Sequence, residues 1–340
     1  MKILGLVEHP DHVCCRYRLT AVQPYLKQVG HELDLRAIPD GFWARMKLWR
    51  SPEVREADLV VVLRRLMSCW HLFHLRRNAR RLIFDFDDAV FQRDSYAGKS
   101  AVSVVRRRRF IRMMHAADLV FAGNDYLRQE ACRFVPEEQV RLMPTCVEPG
   151  DYPLAEHRTQ GEGVVLVWIG SRSTLQGLTH TTNLWNAIAR RVPGIALKVI
   201  CDEFPSFEEM KVLQAPWSAK TEKTELATAD IGVSWVPDDA WSRGKCGLKV
   251  LQYMAAGLPV IANPVGVQEQ LVRHGETGFL ARTAQEWLEA VKKLTNDAPL
   301  RQKMGRAARR WVELDYSVSS LAARWVQALE PRPQPLRLVA

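Results

Sequence analysis

Residues 242–266 read "SRGKCGLKVLQYMAAGLPVIANPVG". An apolar helical run passes into an apolar strand, and two lysines and two glycines crowd the front of the helix. A helix N-terminus already carries partial positive charge, so cations belong at the other end. Lys245 and Lys249 at this end point to an anion that arrives from outside. For a helix over about 246–256, Lys245, Lys249 and Gln252 or Tyr253 fall at i, i+4 and i+7 or i+8, on one face. Leu248, Leu251, Met254 and Ala255 form the face that packs on a sheet. Gly244 and Gly247 let a ligand approach the backbone. Free N–H groups, the helix dipole and two ammonium groups suit a diphosphate. The competing reading is a solvated basic face, and spacing alone does not decide between them. A triphosphate P-loop is excluded, because Asp239 and Cys246 stand where it needs Gly and Ser or Thr.

Outward from this stretch, apolar runs alternate with helical patterns along the whole chain. The runs 2–7, 57–63, 81–86, 117–123 and 140–145 read as buried parallel strands, continuous rather than alternating in hydrophobicity. Helical spacing over 17–30 follows the first. A second series holds strands at 163–171 and 195–202, a helix over 181–192, a helix and strand in 224–237, and the strand at 258–264. Two successive strand–helix series predict an α/β protein of two Rossmann-like domains, joined by the polar linker 155–163. The chain ends in three helical patterns over 283–330 and a Pro-rich tail.

The composition agrees with two soluble cores: 340 residues, 47% hydrophobic and 25% charged. The net charge of +10 suits an acidic partner. No recognition motif for nucleic acid accompanies it, so a nucleic-acid partner is not expected. Seven cysteines at spacings matching no metal pattern read as free thiols in a reducing compartment. The N-terminal apolar run is too short for a signal peptide, and no stretch approaches membrane-spanning length. The expected location is cytoplasmic.

The stretch "KCGLKVLQYMAAGLPVIANPVGVQEQLVRHGETGFLA" resembles the donor-binding segment of family 4 retaining glycosyltransferases, the glycosyl transferases group 1. The match runs from Met254 through Ala262 and returns at Pro264, Gly266 and "GETGFL". It covers most of residues 163–330 and is weaker over 1–150. The resemblance implies the GT-B fold, two Rossmann-like domains facing each other across a cleft. On this reading 1–158 is the acceptor-side domain, 162–315 binds the nucleotide sugar, and the last helix, about 316–331, packs back on the first domain. It also implies a hexosyltransferase-like enzyme of polysaccharide biosynthesis, retaining at the anomeric carbon and needing no metal or other cofactor. Its partners would be a nucleotide-diphosphate sugar and a glycan, lipid-linked or small-molecule acceptor. The two glutamates of the family pattern align with Gly244 and Gln252. Gln252, with Tyr253 beside it, can still meet a ribose hydroxyl, whereas Gly244 offers no side chain to the donor sugar.

Parallel sheets bind ligands beyond the carboxyl ends of their strands, and three further candidate clusters stand there. In "WIGSRSTLQGL", Gly170, Ser171, Arg172 and Thr174, together with Gly247, are candidate donor-diphosphate contacts beside Lys245 and Lys249; a plain strand–helix turn is the alternative. In "RLIFDFDDAVF", Asp87 or Asp88 would orient or deprotonate an acceptor hydroxyl, or offset positive charge at the sugar. Helix capping is the plainer use of such aspartates. A metal-binding Asp-x-Asp and a phosphatase nucleophile at Asp85 are rival readings. In "EHPDHVCCRYRL", Arg16, Arg18 and His9 are candidates for the phosphate or acceptor side, with His12 beside them.

Residues 40–115 hold 17 Lys and Arg against 8 Asp and Glu. The run "RRRRFIRMMH" reads either as a peripheral contact with an anionic membrane, at the inner face, or as a helix with one basic and one core face. Besides a glycosyltransferase, a non-catalytic GT-B scaffold and a sugar-nucleotide epimerase remain open.

Overall fold

The computed structural model describes residues 1–94, 100–158 and 163–330. The first sheet holds Lys2–Val7 (β1), Glu32–Ala37 (β2), Leu59–Leu63 (β3), Leu82–Phe86 (β4), Leu119–Ala122 (β5) and Val140–Leu142 (β6). The second holds Val165–Ile169 (β7), Ala196–Cys201 (β8), Lys211–Pro216 (β9), Ile231–Ser234 (β10), Val260–Ala262 (β11) and Gly278–Leu280 (β12). Their orders are β2-β1-β3-β4-β5-β6 and β12-β11-β10-β7-β8-β9, and the pairings are parallel. Helices cover both faces of such sheets, so the central strands are apolar throughout; β3, β4 and β7 are buried at every position.

The apolar-run reading finds the central strands and misses β2, β9 and β12. The first two are edge strands with exposed positions; polar residues alternate along β2, while β9 reads Lys-Val-Leu-Gln-Ala-Pro and buries only Ala215. β12 is only three residues long. The helix expected over 17–30 is broken into Val13–Arg18, a short 3-10 turn and Gln23–Gln28, with Pro24 starting the last piece.

In each sheet the strand order reverses beside the first strand, between β1 and β3 and between β7 and β10. Such a switch point opens a crevice at the carboxyl ends of the strands. The helix Val318–Leu329 leaves the second unit and buries Val318, Leu321 and Trp325 among Ile3, Val7 and Phe121 of the first. Trp325 meets Phe121 edge to face, with centroids 4.9 Å apart. The junction sits earlier than 158. The Ala155 N–H already donates to the Ala256 carbonyl at 2.9 Å, and Arg158 pairs with the buried Asp230 at 2.7 Å. A buried carboxylate needs a partner, and Asp230 draws this segment onto the second unit. Residues 159–162 of the expected linker, and the tail beyond 330, lie outside the described residues.

Candidate functional site

The carboxyl ends of β1, β3, β4 and β5 bring three aspartates and three cations together. Asp85 is wholly buried and accepts from the Arg18 guanidinium, Nε to Oδ1 at 2.9 Å. Arg18 is equally buried and also donates to the Met143 carbonyl, so it holds the fold together and is closed to a phosphate. That corrects its assignment to the ligand side. It also removes the phosphatase reading, since Asp85 has neither exposure nor a free oxygen. Asp87 pairs with Arg64 Nε, and the Arg64 guanidinium holds the Asp87 carboxyl below its usual range against the opposing effect of burial. Arg64 has φ of 57°, a left-handed conformation costly for a residue with a side chain. Sequence reading passed over Arg64. Its position directly after an apolar strand, where the other candidates were sought, was the available signal.

Asp88 faces the second unit. Lys245 Nζ lies 3.1 Å from Asp88 Oδ1 and donates to Oδ2 at 3.3 Å. Oδ1 is buried and accepts no hydrogen bond among the described residues. The loop carrying Lys245 is pinned to the first unit. Asn124 donates to the carbonyls of Arg243 and Lys245 at 3.0 and 2.9 Å, and the Cys246 thiol donates to the Asp87 carbonyl at 3.2 Å. Gly244 lies directly on Ala89: a Cβ built at Gly244 would stand 2.7 Å from the Ala89 Cβ and 2.8 Å from its nitrogen. The glycine thus admits the first unit where a ligand was expected, and no carboxylate fits there while the two units are so apposed.

Gly247 has φ of 70° and precedes the helix Leu248–Ala255, which starts two residues later than expected. Lys245 is therefore in the loop, while Lys249 lies in the first helical turn. The Lys249 ammonium sits 4.2 Å from the centroid of the Trp168 ring, at the end of β7. It has no carboxylate partner among the described residues. Burial, then Lys245 beside it, push its pKa down to about 7. Next to it, Ser171 and Thr174 form a reciprocal cap on the helix Arg172–His180, and Gly170 abuts Trp168 and Thr174. Arg172 is exposed and pairs with Glu203 at 3.0 Å. Two helix N-termini and an ammonium with no counter-ion among the described residues thus converge at the switch point of the second sheet.

The other side of the helix Leu248–Ala255 is spoken for. Tyr253 is wholly buried; its hydroxyl donates to the Val233 carbonyl and accepts from Ile169 N–H. Its ring fills the space over Gly232, so it is a core residue and not a ribose contact. Gln252 is buried and donates to the Tyr17 hydroxyl at 3.1 Å. Arg16 reaches across to the buried Glu222 at 2.6 Å. Both therefore make contacts between the two units, which corrects their placement facing a ligand. His9 is exposed beside Asp11, and His12 caps the helix Val13–Arg18. In the basic run, Phe110, Met113 and Met114 are in the core, so the apolar face of the helix Val104–Ala116 is not free for a membrane. All seven cysteines are free. Between Asp88, Arg64 and Trp241 a cavity of about 680 Å³ opens into the first unit.

Among solved structures, HepE from Anabaena in complex with UDP-glucose superposes with a TM-score of 0.70 at 15% identity, covering 97% of this chain and 99% of that one. A glycosyltransferase from Rickettsia africae gives 0.71 at 13%, covering 96% and 97%. These likenesses establish the GT-B fold. Residues 240–311 match the family glycosyl transferases group 1. The chain carries a group 1 glycosyltransferase segment on a GT-B fold. That segment spans the pinned loop, the helix with Lys249 and strands β11 and β12. A mannosyltransferase of Mycobacterium tuberculosis, described as GDP-mannose-dependent alpha-(1-6)-phosphatidylinositol monomannoside mannosyltransferase, is 27% identical over 249 residues. The alignment covers 66% of this chain and spans 63% of that relative's length. Among the described residues, no helix is long and apolar enough to cross a membrane.

Proposed function

We propose that this protein is a family 4-type glycosyltransferase that moves a sugar from a nucleotide-diphosphate donor to an acceptor hydroxyl in the cleft between the two sheets. One observation carries the reading: Lys249 lies in the first turn of a helix, at a sheet switch point, with no counter-ion among the described residues and with its pKa pushed down to about 7. An incoming diphosphate relieves both the missing charge and the helix N-terminus. The Mycobacterium relative takes a GDP sugar and HepE binds UDP-glucose, so a UDP or GDP sugar is the donor class.

In the step, the bond between the anomeric carbon and the β-phosphate oxygen breaks, and its electron pair leaves with the phosphate. Lys249, Lys245 and the helix N–H groups stabilise that charge. The acceptor hydroxyl attacks from the face the phosphate leaves, which retains configuration, and its proton passes to the departing phosphate oxygen. Asp88, whose carboxylate lies against Lys245, orients the hydroxyl once that contact opens, and offsets positive charge on the sugar. Asp87 holds Arg64 in place. Arg18, Arg64 and Lys245 already supply the cations these carboxylates need, which supports a metal-independent reaction.

A lipid-linked or glycan acceptor at an anionic membrane surface fits the exposed Trp43 (81%), Trp70 and Phe73 on helices Phe42–Trp49 and Cys69–Asn78, among basic residues. The reading places the enzyme in the cytoplasm, peripheral to that surface. Gly244, in place of a sugar-contacting carboxylate, favours a second reading, a non-catalytic binding scaffold. A thermal-shift screen against UDP, GDP and ADP sugars without metal tests the proposal. One sugar nucleotide should raise the melting temperature of the wild type and not of Lys249→Ala. No response to any of them would overturn it, and binding without turnover would favour the scaffold.

A further inference from the structure

The cavity beside Asp88 has a chemistry of its own. Its apolar floor includes Phe42 and Trp49, and its wall carries cations. Arg64 is neutralised by Asp87 and Asp88, and Arg65 by Glu8. Arg106 and Arg109, on the helix Val104–Ala116, line the same cavity and have no carboxylate partner among the described residues; Arg106 is exposed and donates through Nη1 to the Val90 carbonyl at 3.3 Å. Arg109 is moreover half-buried. Two guanidinium groups on a cavity wall without counter-ions keep a positive potential inside it.

A third donor is fixed there by local chemistry. The Trp49 indole N–H donates to His71 Nδ1 at 3.1 Å. Indole has no acceptor role, so Nδ1 must carry the lone pair and Nε2 the proton. Burial and the nearby Arg45, His74 and Arg109 hold the imidazole neutral by lowering its pKa. His71 is more than nine-tenths buried, lines the cavity, and its Nε2–H has no partner among the described residues. His71 and both arginines line this one cavity, and an oxyanion is the ligand class that suits all three as donors.

We infer that the acceptor carries an anionic group, a phosphate or carboxylate, held by Arg106, Arg109 and His71 Nε2–H, with an apolar portion on Phe42 and Trp49. The inference rests on the glycosyltransferase reading for the word acceptor, and on the cavity alone for the ligand class. The same chemistry serves a phosphorylated sugar in solution or a lipid phosphate whose tail leaves toward exposed Trp43.

The test uses the full chain and three probes below their micelle concentrations: octyl phosphate, octyl glucoside and inorganic phosphate, followed by calorimetry. Octyl phosphate should bind at least about tenfold more tightly than octyl glucoside. The double variant Arg106→Gln/Arg109→Gln should lose roughly tenfold or more of that affinity, with an unchanged melting temperature and unchanged UDP or GDP binding. A His71→Asn variant tests the third donor. Inorganic phosphate binding as tightly as octyl phosphate would support the anionic group and overturn the apolar contact. Equal binding of the neutral glycoside, wild-type affinity in the double variant, or binding to phosphatidylglycerol vesicles without binding of monomeric octyl phosphate would each overturn the inference. Failure of nucleotide binding with octyl phosphate still bound would instead sink the glycosyltransferase reading and leave the cavity assignment standing.

Discussion

Lys245 of the second unit and Asp88 of the first face each other across the cleft, Nζ to Oδ1 at 3.1 Å. In the free protein the carboxylate occupies the ammonium that a diphosphate would want. On the proposed function, a bound donor would compete with Asp88 for Lys245, and one contact would couple the two substrates.

Asp88→Asn should separate these roles. Transfer should fall by about 10²-fold or more, as for loss of a positioned carboxylate. Nucleotide affinity should stay the same or tighten, because Lys245 is no longer neutralised. Calorimetry on the nucleotide beside a transfer assay measures both, and parallel loss of the two would reject the coupling.

Lys249 ties affinity to pH. Its ordinary pKa is 10.5, and the folded protein lowers it to about 7. Between those values the unfolded chain holds more protons, so this group's contribution to stability rises as pH rises from 7. A bound diphosphate favours the ammonium, so nucleotide affinity should be full below about pH 7 and fall as pH climbs toward 9. Lys249→Met should flatten that profile, weaken the nucleotide, and stabilise the free protein by about 1 kcal/mol.

Gly244→Ala places a methyl 2.7 Å from the Ala89 Cβ. The clash should loosen the apposition of the two units, at a cost of roughly 1–3 kcal/mol. Small-angle scattering should show a larger radius of gyration, and Ala89→Gly should restore it. An unchanged radius with full stability would mean that the loop yields instead.

Trp325→Ala removes the anchor of the returning helix Val318–Leu329. Loss of a buried tryptophan costs about 3–5 kcal/mol. The first unit should melt earlier while nucleotide binding by the second survives, which domain-resolved hydrogen exchange would read.

The sequence by itself determined the two-sheet plan, the central strands, and the segment that matches the group 1 family. Those features are local: continuous apolar runs are what a parallel strand buried on both faces requires, and a lysine in a first helical turn stands out wherever the helix goes. Edge strands β2 and β9 escaped because much of each meets solvent, so neither carries the continuous apolar run of a central strand. Only the tertiary structure decided which charges meet. Arg18 finds Asp85 across 67 residues and Lys245 finds Asp88 across 157. No spacing in the chain distinguishes such a pair from a free arginine at a strand end. The structure likewise turned Tyr253 into the core and Gln252 toward Tyr17, and it gave Arg64 its place among the carboxylates. The opening glycine changed meaning for the same reason. Gly244 reads locally as room for a ligand, but the space it leaves is taken by Ala89 of a loop 155 residues earlier, because the two sheets close on each other there.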